Sequence, residues 1–238
     1  MKDKLIVALD VADIKKAQDL VMLLGDEVEF YKIGLEFMAS GDYFTLIKWL
    51  KHKNKKVFAD LKLFDISQTV AKAVSNLKQY EIDLLTIHCA SRDIMLRAAE
   101  NKGDIKIIGV TILTNLAAND LWEMGFAKNL SIEQLVLHRA KLALNCGLDG
   151  VVSSPLEVGM LRQNLGNNFL VVTPGIRLEK IHNDDQKRAA DAAFALQNGS
   201  SYLVVGRPIT QAQEPKLSAQ KFNQIINETL TNISANHQ

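Results

Sequence analysis

An acidic and a basic residue two positions apart, Asp60 and Lys62, form the strongest chemical signal in the sequence. Side chains alternate between the two faces of a β-strand, so both would project to the same side while Leu61 points away. Placing a carboxylate beside an ammonium group is costly unless the two groups pair or contact a polar ligand. These residues alone leave open whether the pair is structural or catalytic.

Two further charged residues stand at the ends of earlier apolar runs. Asp10 directly follows the first run, and Lys32 lies near the end of the second run at residues 28–33. If the runs are neighbouring parallel strands, their carboxyl ends bring both residues to the Asp60/Lys62 pair. Such a cluster favours a catalytic site over an isolated structural ion pair.

The elements that would position this cluster are eight short apolar runs separated by longer amphipathic segments. The runs are rich in Val, Ile and Leu on both faces, as buried parallel strands require. Helical apolar spacing is found at residues 13–24, 65–80, 131–145 and 217–233. The predicted strands are residues 5–9, 28–33, 56–61, 84–88, 106–111, 150–153, 170–173 and 202–205.

Eight strands, each followed by a helical segment, predict an α/β fold, a (β/α)8 TIM barrel formed by a single domain over residues 1–238. A doubly wound open sheet is the alternative, because alternation alone does not prove closure. No linker or change in composition divides the chain. Barrel enzymes carry their chemistry on the loops that follow the strands. The polar residues at those positions are Asp10, Lys32, Asp60, Lys62, Asp65, Thr114, Thr173, Arg177 and Arg207.

The composition excludes several classes of protein. The 28 Lys and Arg residues balance the 27 Asp and Glu residues, so a broad basic surface for nucleic acid is not expected. The two cysteines form no C-x-x-C zinc motif, and no Gly-rich loop matches a Walker or dinucleotide fingerprint. No apolar stretch has the length of a membrane span or a signal peptide. We therefore expect a cytoplasmic protein without a metal or cofactor.

Several motifs together resemble one enzyme family. Residues 60–66, D-L-K-L-F-D-I, are similar to the D-x-K-x-x-D signature of orotidine 5′-phosphate decarboxylases. That signature alone is shared with related sugar-phosphate barrels, but its combination with T-P-G-I-R and G-R-P-I is specific. The other matching strand-end motifs follow the family's order along nearly the whole chain: residues 8–10 (A-L-D), 31–34 (Y-K-I-G), 172–177 (V-T-P-G-I-R) and 205–209 (V-G-R-P-I).

The resemblance implies a reaction and its catalytic residues. The reaction is cofactor-free decarboxylation of orotidine 5′-monophosphate to uridine 5′-monophosphate and CO2, which closes pyrimidine synthesis. Lys62 would donate the proton to the carbon left by CO2. Lys32, Asp60 and Asp65 would complete an alternating charge array, with Asp65 contributed by the partner subunit of a homodimer.

The resemblance also implies how the nucleotide is held. Asp10 and Lys32 would contact the ribose hydroxyls, and Thr114 would lie near the pyrimidine ring. Thr69 would add contacts across the dimer interface. No nucleic acid or membrane partner is implied.

The phosphate site is implied in the same way. Gln186 and Arg207 would bind the phosphate, and the long polar segment at residues 175–188 would close over it as a lid. The remaining ligand contacts would come from Pro174, Arg177 and Gly206.

The chain departs from the family pattern within the signature loop. Phe64 stands where the family usually has His, and residues 66–69, I-S-Q-T, replace I-P-N-T or I-P-T-T. These changes alter the loop and the expected subunit packing without removing a charged group.

Two other functions fit part of the sequence. A metal-dependent sugar-phosphate decarboxylase or aldolase on the same barrel would use a divalent cation held by acidic strand ends. A non-catalytic nucleotide-phosphate binding protein would explain Gln186 and Arg207 but would leave the Asp60/Lys62 pair without a purpose. A Schiff base at Lys62 fits less well, because the implied substrate offers no ketone.

Overall fold

A computed structural model describes residues 2–11, 13–178 and 190–235. The strands begin and end close to the predicted positions, and those at residues 84–88, 170–173 and 202–205 match them at both ends. The described strands are β1 (Leu5–Ala8), β2 (Phe30–Gly34), β3 (Lys56–Leu63), β4 (Leu84–His88), β5 (Lys106–Val110), β6 (Gly150–Val152), β7 (Leu170–Thr173), β8 (Ile176–Arg177), β9 (Ala190–Asp191) and β10 (Tyr202–Val205).

Eight of these strands form a closed parallel barrel. Its order is β1-β2-β3-β4-β5-β6-β7-β10, and β10 pairs with β1 through the partners Leu5 with Leu203 and Val7 with Val205. This pairing confirms the predicted (β/α)8 barrel, and the open-sheet alternative is wrong. Strands β8 and β9 form a separate two-stranded sheet that was not predicted.

The helices between the strands bury their apolar stripes against the outside of the barrel. None of the helices in the described part of the chain is long and apolar enough to cross a membrane. The described α-helices are α1 (Ile14–Leu24), α2 (Leu35–Met38), α3 (Tyr43–His52), α4 (Ser67–Leu77), α5 (Arg92–Asn101), α6 (Ala118–Glu123), α7 (Ile132–Asn145), α8 (Val158–Leu165), α9 (Ala192–Gln197), α10 (Arg207–Thr210) and α11 (Pro215–Ala235).

Local capping explains where the predicted helices begin. Asp13 accepts a hydrogen bond from the Lys16 N–H at 2.8 Å and starts α1. Ser131 caps α7 in the same way through the Gln134 N–H. The helix predicted from residue 65 begins instead at Ser67. Strand β3 continues to Leu63, and Ile66, directly before the helix, has non-helical backbone angles.

The strands place two kinds of residue inside the barrel. Successive side chains alternate between the barrel interior and the helices, so every second residue points inward. Deep in the barrel these inward residues form an apolar cluster. Its members are Ile6, Ala8, Phe30, Phe58, Leu84, Ile108, Val172 and Val204.

Polar residues occupy the next inward positions on the first four strands. The residues two positions after Ala8, Phe30, Phe58 and Leu84 are, in the same order, Asp10, Lys32, Asp60 and Thr86. Because side chains alternate along a β-strand, these four polar residues form one polar layer above the apolar interior.

Substitution of Gly150 tests how closely the barrel strands pack. A Cβ at this position would lie 2.1 Å from the Leu170 carbonyl oxygen on the neighbouring strand. We expect Gly150→Ala to lower the free energy of unfolding by about 3 kcal/mol, because backbone cannot move aside as a side chain can. Urea denaturation measures this. The control Gly41→Ala meets open space at φ +90°, so backbone strain should cost only about 1 kcal/mol. Wild-type stability in the Gly150 variant would contradict this packing.

Candidate active site

A pocket of about 510 Å³ opens at the carboxyl ends of the barrel strands. Its floor is apolar, with Phe58, Val110 and Val172 among the lining residues, and its walls carry the charged residues. Of the predicted site residues, the pocket brings together Asp10, Lys32, Asp60, Lys62, Thr114, Pro174, Arg177, Gly206 and Arg207.

Two described residues of the predicted site are not part of this pocket wall. Asp65 and Thr69 are exposed and lie on the loop after β3 and at the start of α4. Gln186 and most of the predicted lid at residues 175–188 lie outside the described residues.

The charged residues in the pocket form a continuous chain of alternating sign. Lys32 Nζ lies 3.1 Å from Asp10 Oδ1 and 3.4 Å from Asp60 Oδ2. Lys62 Nζ lies 2.8 Å from the same Asp60 oxygen. Asp60 is 9% exposed, so its carboxylate is held between two ammonium groups in an environment that water screens weakly.

These contacts determine which charge states are favoured. Burial alone raises the pKa of Asp60, but the ammonium groups of Lys32 and Lys62 outweigh burial and hold that pKa below its ordinary value. Burial alone lowers the pKa of Lys32, but the carboxylates of Asp60 and Asp10 outweigh it and raise that pKa. The folded protein therefore favours an ionised Asp60 carboxylate beside an ionised Lys32 ammonium group.

The backbone around Lys62 departs from a regular strand. The pairs Ala59 with Leu85 and Leu63 with Ile87 leave three residues of β3 opposite one residue of β4, which is Thr86. Within this bulge Lys62 has a φ of +49°, a left-handed conformation that non-glycine residues rarely adopt. Asp60 and Lys62 do reach the same pocket, but through a bulge instead of the predicted regular alternation.

Thr86 is a site residue that sequence reasoning missed. Its side chain is fully buried, and its hydroxyl contacts both the Lys62 backbone and the Asp60 carboxylate, each at 2.9 Å. The available signal was a polar residue at an inward position of an otherwise apolar strand. It was overlooked because threonine is also common in ordinary strands.

Asp65 is exposed and does not line the pocket of its own chain. Its Oδ1 accepts a hydrogen bond from the Ile66 N–H at 2.6 Å, and within the described residues it forms no ion pair. The side chains beside it are large and apolar yet exposed, 63% for Phe64 and 71% for Ile66. The Phe64 ring lies edge-on to His88, with ring centres 6.1 Å apart.

Within residues 2–11, 13–178 and 190–235, no group of three or more His, Cys, Asp and Glu side chains is arranged to hold a metal ion. Two carboxylates of the pocket, those of Asp10 and Asp60, contact the same lysine. The space between these two carboxylates holds the Lys32 ammonium group.

The sequence matches a known family along most of its length. The model of the "Orotidine 5'-phosphate decarboxylase / HUMPS family" matches residues 3–222. The chain belongs to this family. The predicted resemblance and the predicted enzyme class are both confirmed.

Similar proteins agree with the family assignment. A Methylococcus capsulatus protein named orotidine 5′-phosphate decarboxylase is 49% identical over 220 residues, covering 92% of this chain and 90% of that protein. One from Carboxydothermus hydrogenoformans is 46% identical and covers 93% of this chain and 95% of its own. The crystal structure of the Lactobacillus acidophilus enzyme of that name superposes with a TM-score of 0.83 at 33% identity, covering 94% and 99%.

The array should make stability depend on pH in a defined way. Because the pKa of Asp60 is depressed in the folded state, its ion pairs stabilise the protein fully above the ordinary value of 3.8. That stabilisation is lost only as the pH falls through the lower, folded-state pKa. We expect Asp60→Asn to cost about 2 kcal/mol of unfolding free energy at pH 7, with the same difference at pH 5.

Urea denaturation of both proteins at several pH values measures this difference. Asp19→Asn on the exposed face of α1 is the matched control and should change stability little at any pH. A difference between wild type and Asp60→Asn that disappears between pH 7 and pH 5 would contradict the depressed pKa.

Proposed function

We propose that this chain converts orotidine 5′-monophosphate to uridine 5′-monophosphate and CO2 without a metal or cofactor, with Lys62 as the proton donor to C6. The observation that carries the proposal is the Lys62 ammonium group, 2.8 Å from the buried Asp60 carboxylate, at the end of a chain of alternating charges in the pocket. Family membership and relatives named for this activity support the substrate.

The pocket has suitable chemistry for each part of the nucleotide. Its apolar floor suits one face of a pyrimidine ring, and Thr114 in the wall can exchange hydrogen bonds with polar ring atoms. Asp10 and Lys32 can contact ribose hydroxyls. The Arg207 guanidinium at the rim suits a phosphate dianion, with Gln186 as its proposed partner.

The chemistry needs a cation at one carbon atom. When the bond between C6 and the carboxylate breaks, CO2 leaves and the electron pair stays on C6. The Lys62 ammonium group stabilises that developing negative charge and then transfers its proton to C6, after which solvent reprotonates the amine. The Asp60 carboxylate would lie beside the departing carboxylate and disfavour the bound substrate relative to the transition state.

The position of Lys32 supports a metal-independent reaction. A sugar-phosphate enzyme of the metal-dependent type would place its cation among acidic strand ends. Here the Lys32 ammonium group already forms ion pairs with both Asp10 and Asp60 and occupies the space between them. The same contacts fix the two carboxylates relative to Lys62.

A homodimer would complete the array. Asp65 does not line its own pocket, and exposed Phe64 and Ile66 flank it on the same loop. Burying these two side chains against a second copy would bring apolar surface out of water. We therefore propose that Asp65 and Thr69 serve the partner subunit's site. The cytoplasmic location stays a prediction.

Removal of the Lys62 ammonium group tests the mechanism. We expect Lys62→Ala to lower kcat by at least about 10⁴-fold, because the proton donor and the stabilising charge are lost together. Binding of uridine 5′-monophosphate, measured by calorimetry, should change by less than about tenfold, since Arg207 remains. Lys141→Ala on the exposed face of α7 is the control and should retain full activity. Near wild-type turnover in Lys62→Ala would refute the mechanism.

Mixing two inactive variants tests whether Asp65 acts across subunits. A Lys62→Ala chain keeps Asp65, and an Asp65→Ala chain keeps Lys62. Random pairing makes half of the dimers mixed, and each mixed dimer would contain one complete site, so about a quarter of wild-type activity should return. The chains are refolded together, and each variant refolded alone is the control. No recovery in mixtures that contain mixed dimers would show that Asp65 acts within its own chain.

A further inference from the structure

Thr86 occupies a position that the proposed chemistry does not use directly. It lies on β4, where the inward residues are Leu84 below it and His88 above it. Its side chain has no exposed surface, so it cannot touch a substrate in the pocket. It also stands alone opposite the three bulged residues of β3.

The two hydrogen bonds of Thr86 have defined directions. The Lys62 N–H can only donate, so the Thr86 oxygen accepts at 2.9 Å. The hydroxyl has one proton, and it is directed to Asp60 Oδ1, also at 2.9 Å. One hydroxyl therefore joins the backbone of the lysine to the carboxylate that the same lysine contacts through its ammonium group.

The bulge needs such a partner. A left-handed conformation at a non-glycine residue such as Lys62 is strained and persists only where surrounding contacts require it. In the bulge the Lys62 N–H donates a hydrogen bond to the Thr86 hydroxyl. Without the hydroxyl, the partly buried Lys62 N–H would lose its hydrogen-bond partner. The free-energy cost of the unpaired N–H would then favour a rearranged backbone.

We propose that Thr86 is a positioning residue for the decarboxylation, holding the left-handed Lys62 backbone so that its ammonium group stays against Asp60 beside the reacting carbon. The inference rests on the proposed function for its kinetic consequence. Its structural part, a side-chain hydroxyl that maintains the bulge, stands independently of the substrate.

The charges around Asp60 set the expected pH behaviour. Lys32 faces the carboxylate from β2 and Lys62 faces it from β3. Tyr43 on α3 and His88 on β4 are titratable groups that also interact with it. The Thr86 hydrogen bond also helps to hold the pKa of Asp60 low, so its removal should move the acidic limb of activity to higher pH.

Thr86→Val and Thr86→Ser form a matched pair for the test. Valine keeps the shape and removes the hydroxyl, whereas serine keeps the hydroxyl and removes a methyl group. We expect kcat to fall about 30-fold in Thr86→Val with KM within about threefold, because the catalytic lysine is displaced while the phosphate contacts remain. In Thr86→Ser both constants should stay within about threefold of wild type, with an unchanged pH profile.

A second measurement does not depend on turnover. Amide hydrogen exchange followed by NMR should show that the Lys62 N–H loses protection in Thr86→Val and keeps it in Thr86→Ser. Wild-type kcat in Thr86→Val, equal losses in both variants, or unchanged protection of Lys62 in Thr86→Val would each overturn the proposal. If the wild-type protein fails to decarboxylate orotidine 5′-monophosphate, the proposed function fails, while hydrogen exchange still decides whether Thr86 maintains the bulge.

Discussion

The Asp60 carboxylate receives three contacts inside the barrel mouth: two ammonium groups at 2.8 and 3.4 Å and one hydroxyl at 2.9 Å. Each contact compensates part of the cost of removing an ionised carboxylate from water. The same contacts fix the position of Lys62. The contacts that stabilise the buried Asp60 carboxylate therefore also hold Lys62, the residue proposed to perform the chemistry.

The barrel explains how these groups come together. Parallel strands carry their carboxyl ends to one mouth, and alternation turns every second residue of each strand toward the barrel interior. The deeper levels are apolar and form the interior cluster, while the level at the mouth is polar. Closure between β1 and β10 also brings Gly206 and Arg207 beside Asp10, so the proposed phosphate and ribose contacts become neighbours.

Much of this architecture could be predicted from sequence, because buried parallel strands and charged strand ends leave local patterns. Asp10, Lys32, Asp60 and Lys62 were predicted as one cluster and lie together. The bulge at Lys62 could not be predicted, since it depends on a residue of β4 more than twenty positions away. The place of Asp65 could not be decided either, because its proposed contacts belong to a second chain.

The absorbance of orotidine 5′-monophosphate during incubation with the purified wild-type protein in excess chelator tests the proposed reaction most directly. The orotate chromophore should disappear at the same rate with and without chelator, as uridine 5′-monophosphate forms. An unchanged chromophore in both conditions, or loss that requires an added divalent cation, would contradict a metal-independent decarboxylation driven by the Asp60 and Lys62 array.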